Sequence, residues 1–220
     1  MKAKYLYIYL LGIREELYAA AHAHARIVDA AARVRDSEDN EPGERDDLFE
    51  EVDAQDDLRA AIEALLSAHA RLSLYLFPNP RAGARGGTRA KELRDRLEVS
   101  DDHALRAREP RNTWMHLDES IDARVWEGEA EDLIHEHFGD LDLALLADAE
   151  RRIVRIIDPA AHQILLLGQR FDLDEIYRQT MNISPALELA IGEIEAELER
   201  EFGDLSHPPE SLDDVLDVDF

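Results

Sequence analysis

The apolar residues of this chain recur at intervals of three and four positions through two long segments, and this spacing limits what the chain can fold into. In residues 2–35 the series is Leu6, Leu10, Ile13, Leu17, Ala20, His24, Ile27, Ala31 and Val34. In residues 54–76 it is Leu58, Ile62, Leu65, Leu66, His69, Leu72 and Tyr75. Such spacing gives an α-helix one apolar face. Both segments are therefore predicted to be long amphipathic helices.

Further helices are predicted in the rest of the chain. Helical spacing predicts a short helix at about 88–97 and a third long helix at 111–127, with Pro110 in the first turn, where helices accept proline. It also predicts a helix at 172–202 that bends near Ser184-Pro185. The glycine-rich stretch RAGARGGTR, residues 81–89, lacks the Lys-Ser/Thr ending of a P-loop and predicts a flexible connector.

One segment departs from the helical pattern. Residues 153–157 and 164–167 form two apolar runs around an Asp-Pro turn, which predicts a β-hairpin. The predicted fold is mainly α, a helical bundle of four to five helices with one small β-hairpin. The domain is expected to cover residues 1–203, with an acidic exposed loop at 36–53 and the hairpin at 151–168. An acidic mobile tail is expected at 204–220.

Length and composition narrow the function classes. A chain of 220 residues, 45% of them hydrophobic, suffices for one domain with a real core. It has no cysteine, which excludes disulfides, thiolate metal sites and a cysteine nucleophile. No apolar run reaches about 18 residues, and no targeting segment is recognisable. A cytoplasmic protein without a membrane partner is the expectation.

The charge balance bears on possible partners. The formal net charge is -25, which repels nucleic acid at long range. Only three of the 25 basic residues are lysines, and the acidic residues are spread over the chain, as in proteins adapted to a salty cytoplasm. At about 1 M salt the Debye length falls to roughly 3 Å, so the repulsion would be screened.

Residues 81–111 are the exception to this acidity. They hold nine basic and six acidic residues, so the segment carries +3 and the rest of the chain -28. The segment leads directly into the stretch RNTWMH, residues 111–116. One interpretation is an anion site in an otherwise repulsive molecule. The other is a set of arginines that pair with the surrounding acids.

Arg111, Asn112 and His116 form a pattern that could support catalysis. On a helix Asn112 and His116, four residues apart, share a face, and Arg111 flanks them. Such a trio suits metal-independent transesterification of RNA. The imidazole would move protons near neutral pH. The guanidinium would hold the phosphate, and the amide would orient the phosphate or the imidazole.

Arg-Asn, three further residues and then His resembles the signature of the HEPN superfamily, small helical bundles that often dimerise and include metal-independent ribonucleases. The stretch after the motif is similar to a bacterial subgroup in which the histidine is followed by x-Asp-Glu-x-x-Asp. Asp118, Glu119 and Asp122 stand at those positions. Met115 departs from the subgroup, which has a glutamate before the histidine, so no role is assigned to that position. The subgroup also has a hairpin late in the chain, similar to the one predicted here.

The resemblance implies a metal-independent RNA endonuclease that acts as a toxin or defence component. The catalytic residues would be Arg111, Asn112 and His116. Four neighbours are predicted to contact the substrate: Arg106, Arg108, Asp118 and Glu119. A homodimer would bring two copies of the motif into one cleft, and an antitoxin would be a natural protein partner. No cofactor is expected.

The histidine spacing also argues against a metal site. His22 and His24 are two positions apart on a helix, so they point to nearly opposite sides, and His135 and His137 share this defect. His24 and His69 lie on apolar faces and are predicted to be core histidines.

Two other functions remain open. One is a non-catalytic HEPN-like helical dimer that binds a nucleotide or a protein partner. The other is a salt-adapted structural protein in which Arg111 pairs with Asp118 or Glu119 and His116 is half-buried. Surface ion pairs of this kind are common and contribute little stability. A cleft around the motif would distinguish the first from the second.

Overall fold

The computed structural model describes residues 2–39, 45–117, 119, 121–122, 134–141 and 153–202. The α-helices are α1 (Ala3–Asp39), α2 (Arg45–Leu76), α3 (Gly83–Arg96), α4 (Glu109–Met115), α5 (Leu173–Met181) and α6 (Ser184–Phe202). The strands are β1 (Ile134–Phe138), β2 (Ile153–Asp158), β3 (Gln163–Leu166) and β4 (Gln169–Asp172). Two single 3-10 turns cover Pro80–Ala82 and Ala104–Arg106. The predicted mainly α fold is confirmed.

The long pair α1 and α2 forms the framework of the molecule. The apolar faces that the sequence predicted are buried, because each helix turns its three-and-four series towards the other elements. At one end of the pair, Ile27, Leu58 and Ile62 pack with the sheet and with Trp114. At the other end, Leu10 and Leu76 pack with α3 and α6.

Helix covers both ends of the acidic segment that the sequence predicted as an exposed loop at 36–53. α1 continues to Asp39 and α2 begins at Arg45, so the connection is shorter than predicted. The reason is that Val34 and Ala54 are buried, which gives even these acidic stretches an apolar face to pack. Residues 40–44 and the predicted tail at 204–220 lie outside the described residues.

The glycine-rich stretch that predicted a flexible connector is mostly helical. Asn79 accepts a hydrogen bond from the backbone N–H of Arg81, 3.0 Å away, and so caps the 3-10 turn after α2. α3 begins at Gly83 and buries Gly86, Ala90 and Leu93 against the bundle. The small residues therefore permit close packing here.

The predicted hairpin is confirmed as β2 and β3, which pair antiparallel. Asp158 fixes its turn, because its Oδ1 accepts hydrogen bonds from the backbone N–H groups of Ala160 and Ala161 at 3.0 and 2.8 Å. The sheet is larger than predicted, with the order β1-β2-β3-β4. β1 pairs parallel with β2, and β4 pairs antiparallel with β3.

The C-terminal helix is divided where the sequence predicted a bend. α5 ends at Met181 and α6 begins at Ser184, with Pro185 in its first turn, because proline lacks the N–H that an uninterrupted helix would require. Contacts of Asp174 with His24 and of Glu195 with Tyr7 show that α5 and α6 run back along α1. No helix among the described residues is long and apolar enough to cross a membrane.

Candidate functional site

The helix that carries the motif is shorter than predicted. α4 begins at Glu109, ends at Met115 and has His116 at its C-cap, whereas the sequence predicted a helix over 111–127. Leu117, Glu119, Ile121 and Asp122 are again helical, and residues 118, 120 and 123–127 lie outside the described residues. Pro110 and Trp114 are the buried residues of α4.

Asn112 and His116 lie one helical turn apart on the same side of α4. The N–H of His116 donates to the carbonyl of Asn112, and the N–H of Asn112 donates to the carbonyl of Arg108, both at 3.0 Å. Both side chains are exposed, and Arg111 is half-buried beside them. The structure therefore brings the three predicted catalytic residues together on one turn.

His116 contacts one of the predicted substrate-binding residues. Its Nδ1 lies 3.2 Å from Oε1 of Glu119, and both side chains are mostly exposed. When Nδ1–H donates to this carboxylate, the lone pair of the ring lies on Nε2, the arrangement that a general base requires. Asp118 lies outside the described residues.

The structural interpretation of the sequence pairs Arg111 with Asp118 or Glu119, and of these two partners only Glu119 belongs to the described residues. Among the described residues the side chain of Arg111 has no hydrogen bond or ion pair, and the carboxylate of Glu119 contacts His116. A half-buried guanidinium that pairs with none of the described side chains can bind an anion.

Arg108 has a structural role that its sequence position did not indicate. Its Nε donates to Oγ of Ser73 at 2.7 Å, and its Nη2 donates to the carbonyls of Ser73 and Phe77. The guanidinium thus binds carbonyls at and just beyond the C-terminal end of α2, where helical partners run out. Burial lowers the pKa of Arg108 from its usual value, and the charge of Glu109 opposes this shift.

Arg106, the other arginine predicted to contact the substrate, is exposed. Its Nη1 donates to the carbonyl of Asp101 at 3.3 Å. Arg106, Arg108 and Arg94 line a groove of about 660 Å³ at the end of α2. Its lining extends to Glu109, the first residue of α4.

The sequence analysis missed the residues that anchor α4. The guanidinium of Arg155 stacks on the indole of Trp114, with its Cζ 4.6 Å from the ring centroid. Glu136 is nearly buried and forms ion pairs with both Arg155 and Arg59. Burial lowers the pKa of Arg155, and the carboxylate of Glu136 opposes this shift. The sequence signal for this anchor is Arg155, a charged residue inside the apolar run 153–157.

The predicted core histidines differ in their surroundings. His69 is buried as predicted, with Nδ1 2.9 Å from Oγ1 of Thr180 and Nε2 3.0 Å from the carbonyl of Ala107. His24 is only partly buried, stacks on Tyr177 and has its Nε2 2.7 Å from Oδ1 of Asp174.

Asp174 also contacts a second histidine, His162. Nδ1 of His162 lies 3.2 Å from both oxygens of the Asp174 carboxylate. Burial would raise the pKa of Asp174, but the hydrogen bonds from His24 and His162 outweigh it, so the pKa is lowered. Within the described ranges, no group of histidine and carboxylate side chains has an arrangement that could hold a metal ion.

Comparisons with known proteins add no family assignment. No family model, no curated protein and no solved structure matches this chain. The HEPN resemblance therefore depends on the motif residues of α4 and on the mainly helical fold that carries them.

Proposed function

We propose that this protein is a HEPN-like, metal-independent RNA endonuclease whose catalytic residues are Arg111, Asn112 and His116. The observation that carries the proposal is the exposed turn of α4, where Asn112 and His116 lie four residues apart on one side and Arg111 flanks them. Glu119 contacts the imidazole on Nδ1, which supports a general base at Nε2.

The reaction would be an internal transesterification. Nε2 of His116 takes the proton of a ribose 2′-hydroxyl, whose oxygen attacks the adjacent phosphorus atom. The new O–P bond forms as the bond from phosphorus to the 5′-oxygen breaks, and the leaving oxygen takes a proton from water or from an imidazolium. The products are a 2′,3′-cyclic phosphate and a 5′-hydroxyl. Arg111 would stabilise the negative charge on the phosphorane oxygens.

Dimerisation would add to the site. In a homodimer that faces two copies of α4 across one cleft, the second His116 could supply the proton to the leaving oxygen. Two copies of Arg111 would also raise the local positive charge in a chain of net charge -25. A role as a cytoplasmic toxin or defence component, with an antitoxin as partner, belongs to this proposal.

Cleavage of RNA by purified protein in the presence of a chelator, at low and high salt, tests the proposal. We expect His116→Ala to lower the cleavage rate by a factor of about 10² to 10⁴, the usual contribution of a general acid or base. His22→Ala is the matched control, because His22 is an exposed histidine on α1. Activity that survives His116→Ala would contradict the assignment of the site.

A second candidate function is a non-catalytic HEPN-like module that binds a nucleotide or a protein partner. The engagement of Arg108 with the carbonyls of α2 favours it, because that guanidinium helps to hold the fold together. The absence of cleavage at every salt concentration, with equal thermal stability of wild type and His116→Ala, would support this candidate.

A further inference from the structure

The groove at the end of α2 has walls from three parts of the chain. Phe77 and Asn79 come from the segment that follows α2, Arg94 comes from α3, and Arg106 and Arg108 come from the segment before α4. Its volume is about 660 Å³. We propose that this groove binds the phosphate groups of a phosphate ester, namely the RNA strand that the motif of α4 cleaves.

The arginines of the groove are held in place by the protein itself. Nη1 of Arg94 donates to the carbonyl of Leu76 at 2.5 Å, and its Nη2 lies 3.0 Å from Oδ1 of Asp101. Arg108 is fixed by Ser73 and Phe77, as described above. A guanidinium has five N–H donors, so these contacts occupy only some of them. Because the side chains are already ordered, an incoming phosphate costs little further side-chain entropy.

The groove differs in charge from the molecule as a whole. Its lining includes three arginines against two acidic residues, Asp101 and Glu109, whereas the chain carries a net charge of -25. Phe77 adds a half-buried aromatic ring, over which the guanidinium of Arg94 lies 5.1 Å from the centroid. Arginines beside an aromatic ring suit a single-stranded nucleic acid, whose phosphates need cations and whose bases stack on rings.

The groove lies at the start of α4, and its lining extends to Glu109, two residues before Arg111. The carbonyl of Arg108 accepts the N–H of Asn112, and the carbonyl of Asn112 accepts the N–H of His116. At 1.5 Å per residue, Arg108 and His116 are about 12 Å apart along this stretch of chain. A strand that is held in the groove and continues along α4 would reach the imidazole over this distance. In naming RNA as the ligand, this inference rests on the proposed function.

Arg106 is the residue to change, because it is exposed and donates to one backbone carbonyl. Arg200 is the matched control, since it is also exposed, donates to the carbonyl of Ala196 at 3.0 Å and does not line the groove. Arg106→Gln and Arg200→Gln are made in full-length protein that also carries His116→Ala, so that bound RNA stays intact. Thermal unfolding of each variant verifies the fold.

Binding is measured by fluorescence anisotropy of a labelled single-stranded RNA of about 12 nucleotides, from about 50 mM to 500 mM salt. We expect Arg106→Gln to weaken binding about fivefold at low salt and to reduce the salt slope by about 0.7, the loss of one phosphate contact on a single strand. Arg200→Gln should leave both values unchanged.

Adenosine monophosphate as a competitor distinguishes the source of the phosphate. Displacement at low concentration identifies a free nucleotide, and displacement only by RNA identifies a strand.

Two results would overturn the inference: equal effects of the two substitutions, or no binding of RNA or adenosine monophosphate even at the lowest salt. The outcome is separable from that of the proposed function. Binding that depends on Arg106, in a protein whose wild type cuts no RNA, would keep the groove and remove the nuclease. Cleavage that depends on His116 but not on Arg106 would support the nuclease and reject the groove as its RNA-binding site.

Discussion

At the scale of single residues, His69 shows how packing decides a protonation state. The carbonyl of Ala107 can only accept, so Nε2 of His69 carries the proton of the neutral ring. Nδ1 lies 2.9 Å from Oγ1 of Thr180, and the hydroxyl of Thr180 donates to the carbonyl of Ile176 at 2.7 Å. Burial lowers the pKa of the imidazole from its usual 6.5, and the hydrogen bond to Ala107 only partly opposes this.

A pH dependence of stability follows from the lowered pKa of His69. Below about pH 6.5 the unfolded chain takes up a proton that the folded protein resists, so stability falls as the pH falls towards the folded pKa. The slope should approach about 1.4 kcal/mol per pH unit for one proton. His103 acts in the same direction, because burial lowers its pKa too. Urea unfolding between pH 7 and pH 5 measures the effect.

Two variants separate the contribution of His69 from those of other groups. His69→Gln should be less stable at pH 7 and should lose part of the slope, with the remainder due to His103. His22→Gln, at an exposed position of α1, should keep the slope of the wild type. A slope that is the same in all three proteins would show that His69 titrates alike in the folded and unfolded chains.

Sequence alone predicted the burial of His69 but not the roles of Arg108 and His24. An apolar neighbourhood at helical spacing is local information, which the sequence contains. The carbonyls that Arg108 satisfies belong to residues 73 and 77, and the carboxylate beside His24 belongs to Asp174. Such partners are set by tertiary packing, so the sequence pattern offered no signal for them.

At the scale of elements, two helical glycines differ in what surrounds them. A Cβ built on Gly12 of α1 would lie 2.6 Å from the hydroxyl oxygen and 3.2 Å from Cζ of Tyr75 on α2. A Cβ built on Gly192 of α6 would meet no atom of the described residues within 4 Å. Tyr75 also packs edge-on against Tyr9, which restricts where its ring can move.

Alanine substitutions at these two glycines should therefore have different effects. Gly192→Ala should raise the free energy of unfolding by about 0.5 to 1 kcal/mol, because alanine is the better helix former. Gly12→Ala receives the same helical gain, but it must displace Tyr75, so we expect no gain or a net loss. Chemical denaturation of both variants measures the difference, and equal stabilisation would mean that the Tyr75 ring moves without cost.

Elements with strong local patterns were predictable, and elements defined by their neighbours were not. β2 and β3 are two apolar runs separated by turn residues, and this pattern predicted both strands. β1, with the sequence IHEHF, and β4, with QRFD, each contain few apolar residues. They are strands because β2 and β3 offer edges to pair with, which is a tertiary effect.

At the scale of the whole molecule, the net charge of -25 lowers the stability of the folded protein, because like charges repel each other. α6 shows this locally, because Glu193, Glu197 and Glu201 are all exposed and four residues apart. Like charges at this spacing destabilise a helix by about 0.2 to 0.5 kcal/mol per pair. Glu195 on the same helix is different, because it accepts a hydrogen bond from the hydroxyl of Tyr7 at 2.8 Å.

Reversing one charge on α6 tests this account of the acidity. Glu197→Lys replaces two repulsive pairs by two attractive ones, so the free energy of unfolding should rise by about 0.8 to 2 kcal/mol at low salt. The gain should shrink towards zero near 1 M salt, where the Debye length is about 3 Å. Glu195→Lys introduces the same charge but removes the bond to Tyr7, so its gain should be smaller or reversed. If the stabilities of Glu197→Lys and the wild type respond identically to salt, repulsion between these glutamates does not lower the stability of the protein. Counterions would then already neutralise the surface at low salt.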